Sequence, residues 1–199
     1  GLKYITPVNY MKEFLIILKD ILHRGHSKFK GNIFNVDVSI DTDTCNDVDI
    51  YLAALGPKML DLAGEYTEGT ITWMTGYKTI KNNILPVLNS KSYNSKSILS
   101  SIPICITDDV ETVTNEAKSI FKFYNKYPNY KKMIIQEGVK DPSDLAIVGD
   151  EDYAYNALKE YSNSGVTEIL AVVFGEDINK RINLQSRTLD FLLSINNKF

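Results

Sequence analysis

The sequence has few residues of the types that build metal sites and disulfide frameworks. Only two cysteines, Cys45 and Cys105, occur in 199 residues, and they are far apart along the chain. Their number and spacing fit neither a disulfide framework nor a zinc-binding pattern, so two ordinary thiols, buried or half-buried, are expected. The two histidines, His23 and His26, lack the further ligands that a metal site needs, and no metal site is predicted.

The chain also lacks a basic cluster and a long apolar run. Its 22 basic and 25 acidic residues give a net charge of −3, and no arginine-rich run occurs, which disfavours nucleic acid as a partner. No apolar stretch approaches the roughly 20 residues of a membrane-spanning helix. The first residues have no signal-peptide pattern, so we expect a cytoplasmic location. A first residue of Gly1 rather than methionine fits either a start inside a longer gene product or a processed terminus.

The amino-terminal part predicts a helix followed by a small hairpin. Pro7 suits the first turn of a helix, with Thr6 before it as a candidate N-cap. Apolar residues then recur at helical spacing until Gly25, which suits a helix end, with His23 in the last turn. Short alternation of apolar and polar residues around Gly31, over residues 28–40, predicts a hairpin.

The rest of the chain alternates between apolar runs and helical patterns. The runs at 48–54, 69–74, 98–106 and 168–174 are typical of strands buried on both faces, although Pro103 is unusual inside such a strand. Helical patterns fall at 58–65, 77–88, 108–124, 130–136, 143–147, 150–161 and 184–195.

This alternation predicts the α/β class, with parallel strands joined by right-handed crossovers in a single domain over residues 1–199. A complete (β/α)8 barrel needs eight units and typically about 250 residues, and only about half of that set is present. Two interpretations remain open, a small open α/β sheet or a TIM-like barrel that lacks its N-terminal strands.

The most informative local motif follows the first of these strands, where Ala53, Ala54, Leu55, Gly56 and Pro57 lead into a helix. Glycine allows the backbone to approach a ligand closely, and the free N–H groups of a helix start attract a phosphate. A plain turn between strand and helix is the alternative interpretation.

The second motif is the end of the next strand, Thr72, Trp73, Thr75 and Gly76. In a parallel barrel this end faces the active site, so Trp73 is a candidate pocket wall and Thr75 a candidate phosphate or hydroxyl partner. A buried packing tryptophan is the alternative.

Glu176, after the last strand, is either a functional carboxylate or, more in keeping with its type, an exposed loop acid. No nucleophile–base pair or Walker loop occurs, and no catalytic residue is assigned.

Several segments, in the same order along the chain, resemble the C-terminal part of the luciferase-like monooxygenase superfamily, and in particular its F420-dependent oxidoreductases. The matching segments are the helix 7–14, the hairpin 25–34, the stretch 52–65 continued by 68–70, the segment 73–76, and the later pieces 104–110, 148–151 and 165–168. Together they cover nearly the whole chain.

The resemblance implies a TIM-like barrel that binds coenzyme F420, or alternatively FMN, at the carboxyl ends of its strands. The loop Ala54–Pro57 would then lie against the phosphate-bearing tail of the cofactor, and Thr72–Gly76 beside the cofactor and substrate pocket. The implied activity is hydride transfer between deazaflavin and a small organic substrate. The first strands of the family are absent, so we expect a homo-oligomer or a complementary N-terminal half-barrel; a non-catalytic half-barrel is a further alternative.

Overall fold

The computed structural model describes residues 5–41, 43–44, 48–90, 95–175 and 178–196, with side chains described for all of these except 178–183. It contains a parallel β-sheet with helices between its strands and a separate antiparallel hairpin. The helices are α1 (Pro7–Arg24), α2 (Pro57–Tyr66), α3 (Tyr77–Thr79), α4 (Leu85–Leu88), α5 (Val110–Phe121), α6 (Pro128–Glu137), α7 (Glu151–Asn163) and α8 (Ile178–Ile195). The strands are β1 (His26–Lys30), β2 (Asn35–Ser39), β3 (Tyr51–Ala53), β4 (Gly69–Trp73), β5 (Ser97–Ile106), β6 (Ile147–Gly149) and β7 (Glu168–Val173).

The helix α1 and the β1–β2 hairpin are joined by one carboxylate. Glu13 accepts the backbone N–H groups of Asn32, Ile33 and Phe34 at 2.9–3.0 Å, all in or next to the hairpin turn. These hydrogen bonds, the one from Phe34 foremost, lower the pKa of Glu13. The predicted helix and hairpin are therefore present and in contact. The capping role of Thr6 is wrong, because its backbone is left-handed and its side chain accepts no capping hydrogen bond.

The parallel sheet has β5 at its centre. One edge of β5 pairs with β7 over Leu99–Ile104, and the other edge pairs first with β4 and then with the short strand β6. Along this second edge, Ser97 N–H bonds to Glu68 and Thr107 N–H bonds to Gly149, so the odd-numbered residues direct their amides there. Pro103, which has no N–H, falls in the interval where β4 has ended and β6 has not begun.

One face of the sheet is covered by helices and holds the main core. Leu52, Ile98, Ile102 and Ile104 on this face pack with buried residues of α2, α7 and α8. Burial of these apolar surfaces is the main contribution to stability that the described residues show.

The opposite face, which we call the open face, carries Ala53, Ile71, Leu99, Leu170 and Val172 from four adjacent strands. Leu170 is 50% exposed and Val172 36% exposed. The prediction that strands 48–54 and 168–174 are buried on both faces is therefore wrong. β3 and β7 are the outer strands beside β4 and β5, and their open-face residues Ala53, Leu170 and Val172 are exposed.

Three further predicted elements differ from the structure. The helix predicted over 77–88 is interrupted by a π-helical turn at Ile80–Ile84, ahead of Pro86. Helix α5 ends at Phe121 and continues as the 3-10 helix Lys122–Lys126. The helix predicted at 143–147 is instead the 3-10 helix Pro142–Leu145 followed by β6, a strand too short to give a sequence pattern.

Candidate functional site

A cavity of about 790 Å³ opens at the carboxyl ends of β3 and β4. Of the predicted site residues, its lining includes Ala53, Ala54, Leu55, Gly56, Pro57, Thr72 and Trp73. Ile71, Ser101 and Val172 of the open face also line it. The carboxyl ends of parallel strands are the usual place for ligands in α/β proteins, because loops and helix starts converge there.

The start of α2 forms one end of this cavity. Gly56 precedes the helix in an extended conformation and has no side chain that could cap it, and Pro57 occupies the first turn. A Cβ built at Gly56 would have no described atom within 4 Å apart from its chain neighbours, so the space above the helix start is open. Backbone N–H groups at a helix start carry partial positive charge, and the positively charged residue Lys58 is part of the same lining. This end can receive an anionic group.

At the end of β4 the backbone turns sharply. Met74 is buried and has a φ of 50°, which is the left-handed region that side chains rarely adopt. The Thr75 hydroxyl donates to the carbonyl of Trp73 at 3.1 Å and stabilises the turn. Such strained residues persist where the surrounding packing over-determines the backbone, and they cluster at functional sites. Here the turn separates Trp73, which lines the cavity, from Thr75 and Gly76, which do not.

The helix start after Gly76 is already occupied by a carboxylate of the same chain. Glu137, at the end of α6, accepts from Lys78 N–H at 3.2 Å and from the N–H and hydroxyl of Thr79 at 2.8 Å. A Cβ at Gly76 would overlap the carboxyl group of Glu137. This helix start is thus filled from within the protein. A ligand role for Thr75 and Gly76 stays a prediction.

Two tyrosines, one in the cavity lining and one bonded to a lining residue, have no counterpart in the predicted site. Tyr130 of α6 lines the cavity, and Tyr124 accepts a 2.7 Å hydrogen bond from the indole N–H of Trp73. The rings of Tyr124 and Tyr130 meet edge to face, with centroids 4.8 Å apart. Burial, together with the neighbouring Tyr124, raises the pKa of Tyr130, so its hydroxyl stays protonated at neutral pH.

Lys58 is the one charged residue among the described residues that line this cavity. The remaining lining is apolar, aromatic or neutral polar. Such a lining accommodates a neutral ring system and an anionic tail better than a cation. The lining combines an aromatic wall with an open helix start, which matches a ligand with both parts.

The other candidate residues lie away from this cavity or outside the described residues. The pKa of the Cys105 thiol is raised to about 11, mainly by burial and secondly by the neighbouring Glu116. The thiol is therefore protonated at neutral pH and is not activated as a nucleophile. His26 contacts the carbonyl of Arg24 at 3.1 Å through its Nδ1. Cys45 and Glu176 lie outside the described residues.

Within the described part of the chain, no group of three or more potential ligands is arranged for a metal ion. No helix in that part is both long and apolar enough to cross a bilayer.

Comparison with known proteins gives a consistent assignment. The sequence model of a family described as luciferase-like monooxygenase matches residues 1–168. A 5,10-methylenetetrahydromethanopterin reductase from Archaeoglobus fulgidus is 25% identical over 173 residues, which are 84% of this chain and 48% of the relative. The chain therefore spans about half the length of this curated relative.

Two solved structures share the fold. An F420-dependent secondary alcohol dehydrogenase, in complex with an F420–acetone adduct, superposes with a TM-score of 0.74 at 16% identity, covering 96% of this chain and 64% of the dehydrogenase. An EDTA monooxygenase from Chelativorans superposes with a TM-score of 0.68 at 10% identity, covering 98% of this chain and 61% of that enzyme. The predicted class, a parallel α/β fold that forms part of a TIM-like barrel, is confirmed.

Proposed function

Because this chain belongs to the luciferase-like monooxygenase family, we propose that it is the C-terminal portion of an oxidoreductase that transfers hydride between coenzyme F420 and a small organic substrate. The observation that carries the proposal is the cavity at the carboxyl ends of β3 and β4, with an open helix start at Gly56 and an aromatic wall at Trp73. The name of the Archaeoglobus relative identifies a reductase, which supports the oxidoreductase class. When bound, the deazaflavin supplies the hydride chemistry, and the protein supplies position and electrostatics.

The residues at the start of α2 suit the phosphate of the cofactor tail. Gly56 leaves room for an anion at the helix start, Pro57 fixes the first turn, and Lys58 adds a positive charge nearby. Ala53, Ala54 and Leu55 are in the same lining and have small or apolar side chains. Backbone N–H groups bind a phosphate without needing a particular side chain, which fits the composition of this loop.

The aromatic side chains of the lining suit a planar ring. Trp73 and Tyr130 line the cavity, with Ile71 and Val172 beside them on the open face. Aromatic edges and faces pack favourably against a flat heterocycle, and the apolar surroundings exclude water from the reacting atoms. Thr72 contributes to the lining from β4, with its hydroxyl directed to Ser100 at 3.3 Å.

FMN is the second candidate cofactor, in a monooxygenase or a reductase. The fold likeness to the EDTA monooxygenase is compatible with a monooxygenase. Both cofactors combine a planar ring system with a phosphate, so the same cavity chemistry serves either one. A direct comparison of the two ligands is therefore the discriminating experiment.

We further propose that the open face is covered in the active protein by a complementary N-terminal half-barrel or by a second copy of this chain. Leu170 is 50% exposed on that face, and the open side of a sheet of apolar residues is a surface that soluble proteins cover. The share of the Archaeoglobus relative that this chain matches, 48%, leaves room for such a half. A cytoplasmic location stays a prediction from the sequence.

The test is a fluorescence titration of this chain, and of its full-length gene product, with F420 and with FMN. We expect the full-length form to bind F420 more tightly than FMN, with the chain alone binding weakly because it lacks the covering half. Preferential FMN binding would assign the flavin alternative. If neither form binds either cofactor, the proposal fails and the chain is a non-catalytic half-barrel.

A further inference from the structure

Trp73 is held in place by a tyrosine 51 positions further along the chain. Its indole N–H donates to the Tyr124 hydroxyl at 2.7 Å, and the two rings are 6.3 Å apart between centroids, edge to face. The ring of Phe121 also packs edge to face against the indole, with ring centroids 6.1 Å apart. An indole has a single N–H donor, so this hydrogen bond fixes how the ring is turned toward the cavity.

The segment that carries Tyr124 is tied to the end of β4 at a second point. Residues 122–137, which we call the aromatic segment, run through the 3-10 helix and α6 and end at Glu137. Glu137 binds the N–H groups of Lys78 and Thr79 just beyond β4, while Tyr124 binds Trp73 at the last residue of that strand. Between these two ties, Tyr130 faces the cavity. The aromatic segment is thus fixed against the strand end rather than loosely attached to it.

Given the proposed function, on which this step rests, we infer that Tyr124 is a positioning residue that sets the ring-binding end of the cavity by holding Trp73. Tyr124 is not in the cavity lining, whereas Trp73 and Tyr130 are. The ring of Tyr124 also contacts Tyr130, but its hydroxyl bonds to the indole, so the influence of this hydroxyl on a ligand passes through Trp73. The aromatic segment, which follows β5, determines the shape of the wall that a planar ring meets, and so it sets specificity for the ring part of the ligand.

The first measurement needs no ligand, because Trp73 is the single tryptophan of the chain and its emission reports on this one site. Tyr124→Phe keeps the ring and removes the acceptor of the indole N–H. We expect a shifted emission maximum and at least a twofold increase in quenching by acrylamide. Tyr127→Phe is the matched control, because it removes a hydroxyl from an exposed tyrosine in the same segment that does not line the cavity. Its emission should equal that of the wild type.

The second measurement is a double-mutant cycle on F420 affinity in the full-length protein. Tyr124→Phe should weaken binding about fivefold, the value of one hydrogen bond, and Trp73→Phe should weaken it at least as much. In the Trp73→Phe background, Tyr124→Phe should cause no further loss, because there is no N–H left to hold. A purely structural role of Tyr124 would instead give additive losses, and that result would overturn the inference.

The two measurements separate this inference from the proposed function. If emission and quenching are unchanged in Tyr124→Phe, the inference fails whatever the protein binds. If the emission changes as expected but neither F420 nor FMN binds any form, the proposed function fails and the ligand-directed role of Tyr124 fails with it. The hydrogen bond between Tyr124 and Trp73 would then have only a structural role.

Discussion

The Tyr51 hydroxyl on β3 donates to Oε1 of Glu168 on β7 at 3.2 Å, across the two strands that lie between them. Tyr51 and Glu168 are the first residues of their strands. The pair therefore lies at the amino ends of the strands, opposite the cavity at the carboxyl ends. In barrels of this type the amino-end layers contribute stability, whereas the carboxyl-end loops carry chemistry.

Tyr51→Phe should consequently affect stability and not ligand binding. The variant loses the exposed hydrogen bond to Glu168 and the hydroxyl contact with Ser97, and we expect a decrease of about 0.5–1 kcal/mol in the free energy of unfolding. Affinity for F420 in the full-length protein should stay within a factor of two. Urea unfolding and fluorescence titration measure the two quantities. A loss of affinity above fivefold would show that the amino-end layer shapes the cavity after all.

Gly56→Val tests the phosphate position directly. The backbone at Gly56 has a φ of −87°, and a Cβ there meets no described atom within 4 Å apart from its chain neighbours, so the fold should tolerate the change. The branched side chain would occupy the space in which a phosphate approaches the helix start. We expect F420 affinity to fall at least tenfold, with Gly56→Ala intermediate. If a folded Gly56→Val protein binds F420 with unchanged affinity, the phosphate does not bind at this loop.

Gly69→Ala should destabilise the sheet. Gly69 pairs with Ser97 across β4 and β5, and an added Cβ would overlap the Ser97 carbonyl oxygen, a backbone atom that cannot rotate away. Overpacking of this kind costs about 1–3 kcal/mol, and we expect the upper part of that range from urea unfolding. Gly56→Ala is the control with the same chemical change at an open position, and it should alter stability by less than about 1 kcal/mol. Equal effects of the two variants would contradict this account.

Stability at acid pH should depend on Glu151. Arg187 donates to both oxygens of Glu151 at 2.7 Å and to both oxygens of Asp108 at 2.9 and 3.1 Å. The hydrogen bonds from Arg187, foremost among the causes, lower the pKa of Glu151 to about 2. A carboxyl group with a lowered pKa stabilises the fold above its unfolded pKa of about 4.5, and this stabilisation is lost as the pH falls from there toward 2.

The corresponding experiment follows Tm from pH 6 to pH 2 in the wild type and in Glu151→Gln. The wild type should lose stability more steeply between about pH 4.5 and 2 than the variant, while Glu160→Gln, a charge removal further along the same helix, should follow the wild-type slope. Parallel curves for all three proteins would mean that the Arg187 pairs contribute nothing measurable, as exposed ion pairs often do.

The sequence was sufficient to locate most of the sheet. Parallel strands that lie between helices are apolar on both faces, which made β4 and β5 visible as continuous runs. The same rule misjudged the burial of β7. Leu170 and Val172 have the composition of a covered surface, but the described chain does not supply the cover. The pattern encodes a burial that depends on a partner, and a sequence alone does not say where that partner is.

The sequence motifs contain part of the lining of the candidate site, and the other residues that shape it are distant in sequence. The two motifs at the strand ends include Gly56 and Trp73, whereas Tyr124 and Glu137 come from the following units of the fold. One signal was available for Glu137. An acidic residue in the last turn of a helix opposes the helix dipole, so Glu137 just before the helix-ending Gly138 indicates a compensating tertiary partner. For Tyr124, the density of aromatic residues from Phe121 to Tyr130 was the only clue.

Pro103 also limits how the sheet can be assembled. Because it has no N–H on the edge of β5 that faces β4 and β6, neither of those strands can slide along β5 past this point without leaving one of its carbonyls unbonded. The proline therefore restricts the register of both β4 and β6 on β5. If β4 shifts by two residues toward Pro103, it loses one hydrogen bond at the proline, whereas in the observed alignment Trp73 lies beside Ser101 and the pairing ends before the proline.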